Sequence, residues 1–526
     1  MKNFLNILLI SFSFANNLVV NFNYDQSYSS SFENDIRSNS IYEIVELNDT
    51  LWLRTGAGIS FMKLDNQSMK FETIINSNLP EGGSPAFVIN DSSLFVSGSK
   101  SIYDGRYRPK GTGLSWSFDN GINWNFINQP LDENPSSGVY TYETWGNQDS
   151  VAFKAITTEI YNISYDLDIH GNYLYATSFA GGLRRFNYNV ENPEWELVPL
   201  PMDDQFALNC NEIDLSIFEY DPVNPPEGND NHKAFSVHII ENIIWVGTGD
   251  GINKGIIDVN NNCIDWIHYN EDDGLSDRWV VGIKDQMINN QKRLWAITWD
   301  PSLNSAIPHT LNYTDDEGES WNTINFFKDI GAIVYDLNFD NENIFASTSL
   351  GLYKTYNGNL NLWDKYDIID SNGQIIFSDA IYSSFKNEAL IIAGSIDGIF
   401  ASFDDGLTWQ LYRSWNQSNP YYNDDNILSA YPNPFYVDEI NQFNNDGHIR
   451  ITYLNGNVND NAKIDIFDFS MNHIIHLNDA TLVNNQGQFI WNGRNKFNNQ
   501  VTNGVYFCRL NLFGKIHWTK IMVINS

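Results

Sequence analysis

Only three cysteines occur in 526 residues, Cys210, Cys263 and Cys508. An odd, widely spaced set excludes a disulfide framework and has no metal-ligand spacing. A Cys210–Cys263 bridge stays open in an oxidising compartment, while Cys508 lies in an apolar run and reads as a buried thiol. Bases are scarce too, with 30 Lys and Arg against 65 Asp and Glu and a formal charge of −35. Phosphate binding needs clustered cations, so nucleic acid and anionic membranes are excluded as partners. The acids are scattered through turns and read as a solvated surface. After Phe14 no apolar run reaches the length of a membrane span. Ala, Leu and Lys are sparse beside Asn, Asp, Ser and Gly, which argues against a helical protein.

Aromatics are plentiful, with 16 Trp, 27 Tyr and 33 Phe, and together with the turn-rich composition they indicate an all-β chain. The length suits two or three cores. At the N-terminus, "MKNFLNILLISFSFANN" has a cationic start at Lys2, an apolar stretch from Phe4 to Phe14, and small residues at Ser13 and Ala15. This is the pattern of a cleaved secretory signal over residues 1–15.

A repeat runs along residues 16–426. Each copy has an apolar strand, a turn, a strand ending in small residues, then Gly and an apolar residue, and finally a turn leading to Trp or Phe. Copies begin at Ile41, Pro85, Ile163, Ala234, Arg278, Ala332 and Ile375, spaced roughly 40 to 80 residues apart as propeller blades with insertions are. A short sheet with two apolar faces cannot stand alone, whereas a radial array buries both. The expectation is a seven-bladed β-propeller, with the segment from Asn16 as a candidate strand to close the last blade.

Three copies carry one further signature. It reads "SFDNGINW" with Asp119, Gly121 and Trp124, "TDDEGESW" with Asp316, Gly318 and Trp321, and "SFDDGLTW" with Asp404, Gly406 and Trp409. Each falls between the third and fourth strands of its repeat. There an Asp accepts backbone N–H groups, Gly takes a positive φ, and Trp fills the gap between sheets. These segments resemble the Asp-box of the sialidase-like (BNR) repeat family, which implies structural turns away from any active centre. "YNEDDGLSDRWVVGIKDQMINNQKRLWAIT" from Tyr269 resembles the repeat of the two-component-regulator type of propeller, with Gly274, Leu275, Leu294 and Trp295 in its marked places.

The pattern changes at "YPNPF", Tyr431 to Phe435, where two prolines mark a boundary. Residues 427–526 then read as about seven short strands between Asn/Gly turns, which suits a small Ig-like β-sandwich. This tail resembles the type A C-terminal sorting domain of type IX secretion cargo, an Ig-like, FlgD-like fold. The matching residues are Pro432–Phe435, Ile464–Asp468, Trp491–Gly493, Asn503–Tyr506 and Lys520–Val523, with Phe469–Ser470 where the family usually has a Gly-rich turn. The resemblance implies export through the periplasm by the type IX machinery to the outside or the outer-membrane surface.

Chemistry is harder to find. A sialidase grips its substrate carboxylate with three arginines and carries a Tyr/Phe-Arg-Ile-Pro motif. Here Tyr107–Arg108–Pro109 lacks the Ile, and nothing in the spacing of Arg54, Arg106, Arg108, Arg184, Arg185, Arg278 and Arg293 brings three together. The first strands repeat an acid, Asp166, Asp336 and Asp379, which with Tyr165 and Tyr335 would ring a central channel as a ligand site. The competing reading makes these acids caps on neighbouring backbone groups. No histidine pair has metal-ligand spacing, and "NEDDG" lacks the Glu of an EF-hand, which leaves room for a surface Ca²⁺ and calls for no cofactor. The favoured function is a non-catalytic glycan- or protein-binding module with Trp145, Trp279 and Trp299 as exposed platforms. The alternative is a glycoside hydrolase acting at the channel.

Overall fold

The computed structural model describes residues 32–525 except 35, 37, 65–68, 92, 136–137, 224–228, 300–309, 372–378, 413–427, 432, 438–441, 444–445, 455–461, 479–480, 484–485 and 513. The segment expected to be a secretory signal and the candidate closing strand from Asn16 lie outside the described residues.

The larger part is a β-propeller built of successive antiparallel meanders. Their first strands are Ile41–Leu47, Phe87–Asn90, Ser164–His170, Ala234–Ile240, Trp279–Ile288, Val334–Asp340 and Ile381–Asn387. Most meanders have four strands. The first gains a fifth from Phe32–Asn34 and the fourth gains one from Ala207–Asn209, both at the outer edge. The described strands of the last meander all come from residues 381–412.

Stacking explains the sequence of the second strands. "IIWVGT", "NIFAST" and "LIIAGS" are each buried at five successive positions, because neighbouring meanders cover both faces. Adjacent meanders share apolar clusters throughout. Trp52, Ile59 and Ile74 pack on Phe87, Leu94 and Val96, and Phe95 and Trp116 join Leu167 and Phe186. The ring closes where Ile41, Ile44 and Leu53 of the first meander meet Phe385, Ile392 and Ile399 of the last. Hydrogen bonds reinforce this closure, from Ile44 N–H to the Ser383 hydroxyl (3.1 Å) and from Gly398 N–H to the Asn39 carbonyl (2.7 Å).

The small residues ending the second strands have a physical role. The Thr55, Thr248, Thr348 and Ser395 hydroxyls donate to the carbonyls of Gly58, Gly251, Gly351 and Gly398 at 2.8–3.1 Å. Each hydroxyl also accepts the N–H two residues on, so the side chain closes the turn that the backbone leaves open.

The three repeated acid turns share one geometry. The Asp119 carboxylate accepts the N–H groups of Ile122 (3.1 Å) and Asn123 (2.8 Å) and the Ser117 hydroxyl (2.8 Å). Asp316 and Asp404 repeat the pattern with Thr314 and Ser320, and with Ser402 and Thr408. Hydrogen bonds hold all three carboxyls below the usual carboxylate range. The following Trp packs on the preceding meander: Trp124 beside Trp52, Trp321 against Trp245, Trp409 against Tyr366. The acid is a joint in the scaffold. Gly406 is required twice over, by a φ of +88° and by the Tyr366 ring, whose Cε1 lies 2.2 Å from where a Cβ would stand. Gly406→Ala is expected to cost about 2–4 kcal/mol, from left-handed strain plus overpacking. Urea denaturation with an unchanged midpoint would refute this.

An additional three-stranded sheet, Tyr140–Trp145, Gln148–Lys154 and Glu219–Tyr220, lies beside the outer edge of the third meander. Trp145 is fully buried there, in a cluster with Trp266 and the disulfide-bonded Cys210 and Cys263. It therefore cannot serve as the exposed platform expected from the sequence.

The C-terminal module has two facing sheets. One contains Leu428–Tyr431, Ile449–Leu454, Thr481–Val483 and Gln486–Trp491. The other contains Phe435–Tyr436, Lys463–Phe467, His473–Leu477, Gly504–Leu512 and Lys515–Ile524. Their shared core includes Ile449, Ile451, Ile464, Phe489 and Cys508, and burial raises the Cys508 thiol above its ordinary value. Phe435, Trp491 and Tyr506, from three separate sequence motifs, pack ring against ring. Asn433 tethers the module's start to its last strand, accepting Met522 N–H (2.9 Å) and donating to the Lys520 carbonyl (2.7 Å). Among the described residues, no helix is long and apolar enough to cross a membrane.

Candidate functional site at the propeller channel

The first strand of each meander is an edge strand, and its outward N–H groups need partners from the next meander. The channel acids provide them. Asp166 accepts Leu167 N–H (2.9 Å) and, across the gap, Val237 N–H (3.0 Å). Two residues on, Asp168 accepts Ile169 N–H (2.7 Å) and Ile239 N–H (2.6 Å). Asp336 accepts the Ser383 hydroxyl (2.6 Å), which in turn receives Ile44 N–H from the first meander. These side chains stitch neighbouring inner strands together.

Charge at the axis is balanced by one residue that the sequence reading missed. Lys284 lies 3.2 Å from Asp336, and Glu43 and Asp166 also lie within its electrostatic reach. Glu43 is further held by Arg54 at 2.9 Å. Burial pushes the Asp166 carboxyl up to about 7; the Val237 N–H opposes this, Glu43 adds to it, and Lys284 counters it. Lys284 is raised by Asp336 first, against its own desolvation. Its side chain is still 38% exposed, as befits a channel lining surrounded by protein but open to water. A signal for Glu43 was present, since Tyr42–Glu43 repeats Tyr165–Asp166 and Tyr335–Asp336. Lys284 had no such repeat.

Lys284→Met removes the cation that counters the burial of Asp166, so the folded-state pKa of that acid rises further. A raised acid releases stability as pH climbs from its unfolded value through its folded one. The stability deficit of this variant is thus expected to be larger at pH 8 than at pH 5. Equal deficits at both pH values would refute the charge-balance role.

Asp379 does not join the ring. The last first-strand begins at Ile381, and its register places Ser383 opposite Gly394 where Asp166 and Asp336 stand opposite Thr177 and Ser347. A bulge at the same point of each strand sets this offset, and Asp379 is left exposed before the strand. Trp279 is also corrected. It pairs across the strands with Trp299, edge to face at 5.4 Å, and the two are 2% and 9% exposed. Tyr165, Phe235 and Trp279 form one aromatic arc at the start of the inner strands, and Tyr42, Tyr382 and Tyr335 form another. Tyr165 and Tyr335 stay partly exposed there.

Six of the seven candidate arginines are dispersed in separate ion pairs: Arg54 with Glu43, Arg108 with Asp104, Arg184 with Asp132, Arg185 with Glu196, Arg278 with Asp250, and Arg293 with Asp315. The histidines have different local partners. His232 meets the Tyr220 hydroxyl and burial pushes it down to about 4, His238 meets Asp285, and His473 and His476 both meet Asp465. Among the described residues no group of three or more metal-ligating side chains is present.

No family model and no curated protein matches the chain. Several solved structures resemble it. PorZ, an essential bacterial surface component of the type-IX secretion system of Porphyromonas gingivalis, aligns over 92% of this chain with 13% identity and a TM-score of 0.42, and the chain spans 66% of that protein's length. The Swd1 β-propeller domain of Myceliophteria thermophila aligns over 72% of this chain and 98% of its own, with 10% identity and a TM-score of 0.43. YCF48 from Cyanidioschyzon merolae aligns over 71% and 99%, with 12% identity and a TM-score of 0.41.

Proposed function

We propose that this chain is a secreted or surface-displayed binding protein. It has a seven-bladed propeller with Asp-box turns, carried outside the cell by an Ig-like type IX sorting module over residues 427–526. Support for the count comes from the unbroken succession of shared clusters around the ring, ending where it began. A disulfide between Cys210 and Cys263 suits an oxidising compartment.

The propeller binds an extracellular glycan or protein without turning it over, at the channel mouth bordered by Tyr165 and Tyr335. One observation carries the non-catalytic reading. The channel carboxylates already hold backbone N–H groups, a hydroxyl or a cation from neighbouring blades. A glycosidase acid pair needs two carboxylates free to meet substrate.

The test is a glycan array and a fluorogenic-glycoside screen on the full mature chain, with and without Ca²⁺. Binding without turnover is expected. Turnover of any glycoside, lost in Asp166→Asn, would overturn the reading in favour of a hydrolase at the channel. For export, deletion of residues 427–526 is expected to trap the protein in the periplasm of its own cell, and undiminished surface display would refute the sorting role.

A further inference from the structure

A second concave site lies away from the channel. It is a cleft of about 760 Å³ between the second meander, the additional sheet and the third meander. That is within the ~300–1,000 Å³ that small-molecule sites occupy. Its lining includes Arg184 and Gln129, which are 5% and 7% exposed. Arg184 donates to Asp132 (2.6 Å) and the Thr157 hydroxyl (2.9 Å), yet among the described residues its Nε–H has no partner. Gln129 donates through Nε2 to Asn162 and Ser164, yet among the described residues its Oε1 has none. A buried donor and a buried acceptor left unmet at one site are uncommon in folded proteins.

We propose that this cleft binds a neutral saccharide. A hydroxyl both accepts and donates, so sugar hydroxyls match a lining that mixes carboxylates, amides and cations, whereas a purely anionic group uses only its donors. Charge points the same way. The lining carries five carboxylates against three cations, and Glu81–Lys100 and Asp132–Arg184 already pair. Among the described residues Glu133 and Glu194 make no ion pair, and a sulfated or sialylated ligand would face them. Glu143 stands beside Arg184, and burial raises its carboxyl above the ordinary range. Trp195 supplies the apolar wall. Its indole N–H is fixed to the Asn128 carbonyl (2.8 Å) and its ring lies against Phe186 at 4.7 Å, leaving a pre-set aromatic surface for sugar C–H groups. The site is separate from the channel and does not rest on the reading above.

The experiment titrates the full mature chain with neutral, sialylated and sulfated oligosaccharides. It compares Trp195→Ala and the exposed-site variant Glu194→Ala, each checked by thermal melting. Neutral glycans are expected to bind, with affinity falling about tenfold or more in Trp195→Ala and several-fold in Glu194→Ala. Unchanged binding in both variants, or binding confined to anionic glycans, overturns the cleft. If the loss follows Tyr335→Ala instead, the channel-mouth reading stands and the cleft falls. Absence of any glycan binding also overturns the cleft and leaves the channel reading with a protein ligand.

Discussion

Arg450→Ala is expected to destabilise the chain by about 3–5 kcal/mol, because it takes the cation away from a carboxylate that the fold has buried. The guanidinium of Arg450 donates to Asp397 at 2.6 Å, and the two side chains are 0% and 1% exposed. Arg450 belongs to the C-terminal module, between Ile449 and Ile451, whose side chains point into that module's core. Strand alternation therefore turns Arg450 to the opposite face. That face would be wet in an isolated sandwich. Here Arg450, Thr452, His448 and Gln488 on it are all buried, and Arg450 reaches the hairpin tip of the last propeller meander. The pair joins two modules that a linker alone would leave independent. Denaturation of the full chain checks this prediction. The paired variant Asp397→Leu/Arg450→Met should recover most of the loss, since replacing both charges removes the desolvation penalty. A single variant as stable as the parent would show that water already screens the pair.

Breaking the Cys210–Cys263 disulfide is expected to cost about 4 kcal/mol, the chain-entropy value for a closed loop of this size. The bridge spans 53 residues. It ties the added strand Ala207–Asn209 to Ile264–Tyr269, the strand it pairs with. It also lies in the same cluster as Trp145, Phe153 and Tyr220 of the additional sheet. Cys210→Ala should therefore lower the melting temperature and speed hydrogen exchange first in residues 140–154 and 207–220. Thiol titration of the native chain should find no reactive cysteine, because Cys508 is buried, and one after unfolding without reductant. Three thiols on unfolding, or stability indifferent to reductant, would refute the bridge. The same element walls the proposed saccharide cleft, so the bridged and reduced proteins should also differ in glycan affinity.

Local chemistry was legible where one residue's role depends on its chain neighbours. The turns at Asp119, Asp316 and Asp404 could be read from eight residues each, since carboxylate, glycine and indole all act within one hairpin and against the meander just before it. The small residues closing each second strand were legible for the same reason.

Other features depended on which distant strands become neighbours. The sequence suggested Asp379 as a ring member because its surroundings look like those of Asp166, but a bulge set the register and put Ser383 there. Trp145, Trp279 and Trp299 look alike as exposed platforms or as core, and packing buried all three. Lys284 has no repeat partner, so its position among Glu43, Asp166 and Asp336 came from closure of the ring. The Asp397–Arg450 pair joins residues 53 apart in the chain, and the cleft at Arg184 and Gln129 draws on three sheets. By itself the sequence determined an all-β repeat, its hairpin joints and a distinct tail, because hydrophobic period and turn chemistry act locally. Tertiary structure alone decided which charges meet, which tryptophans are covered and where a cavity opens, because those depend on the stacking of sheets far apart in the chain.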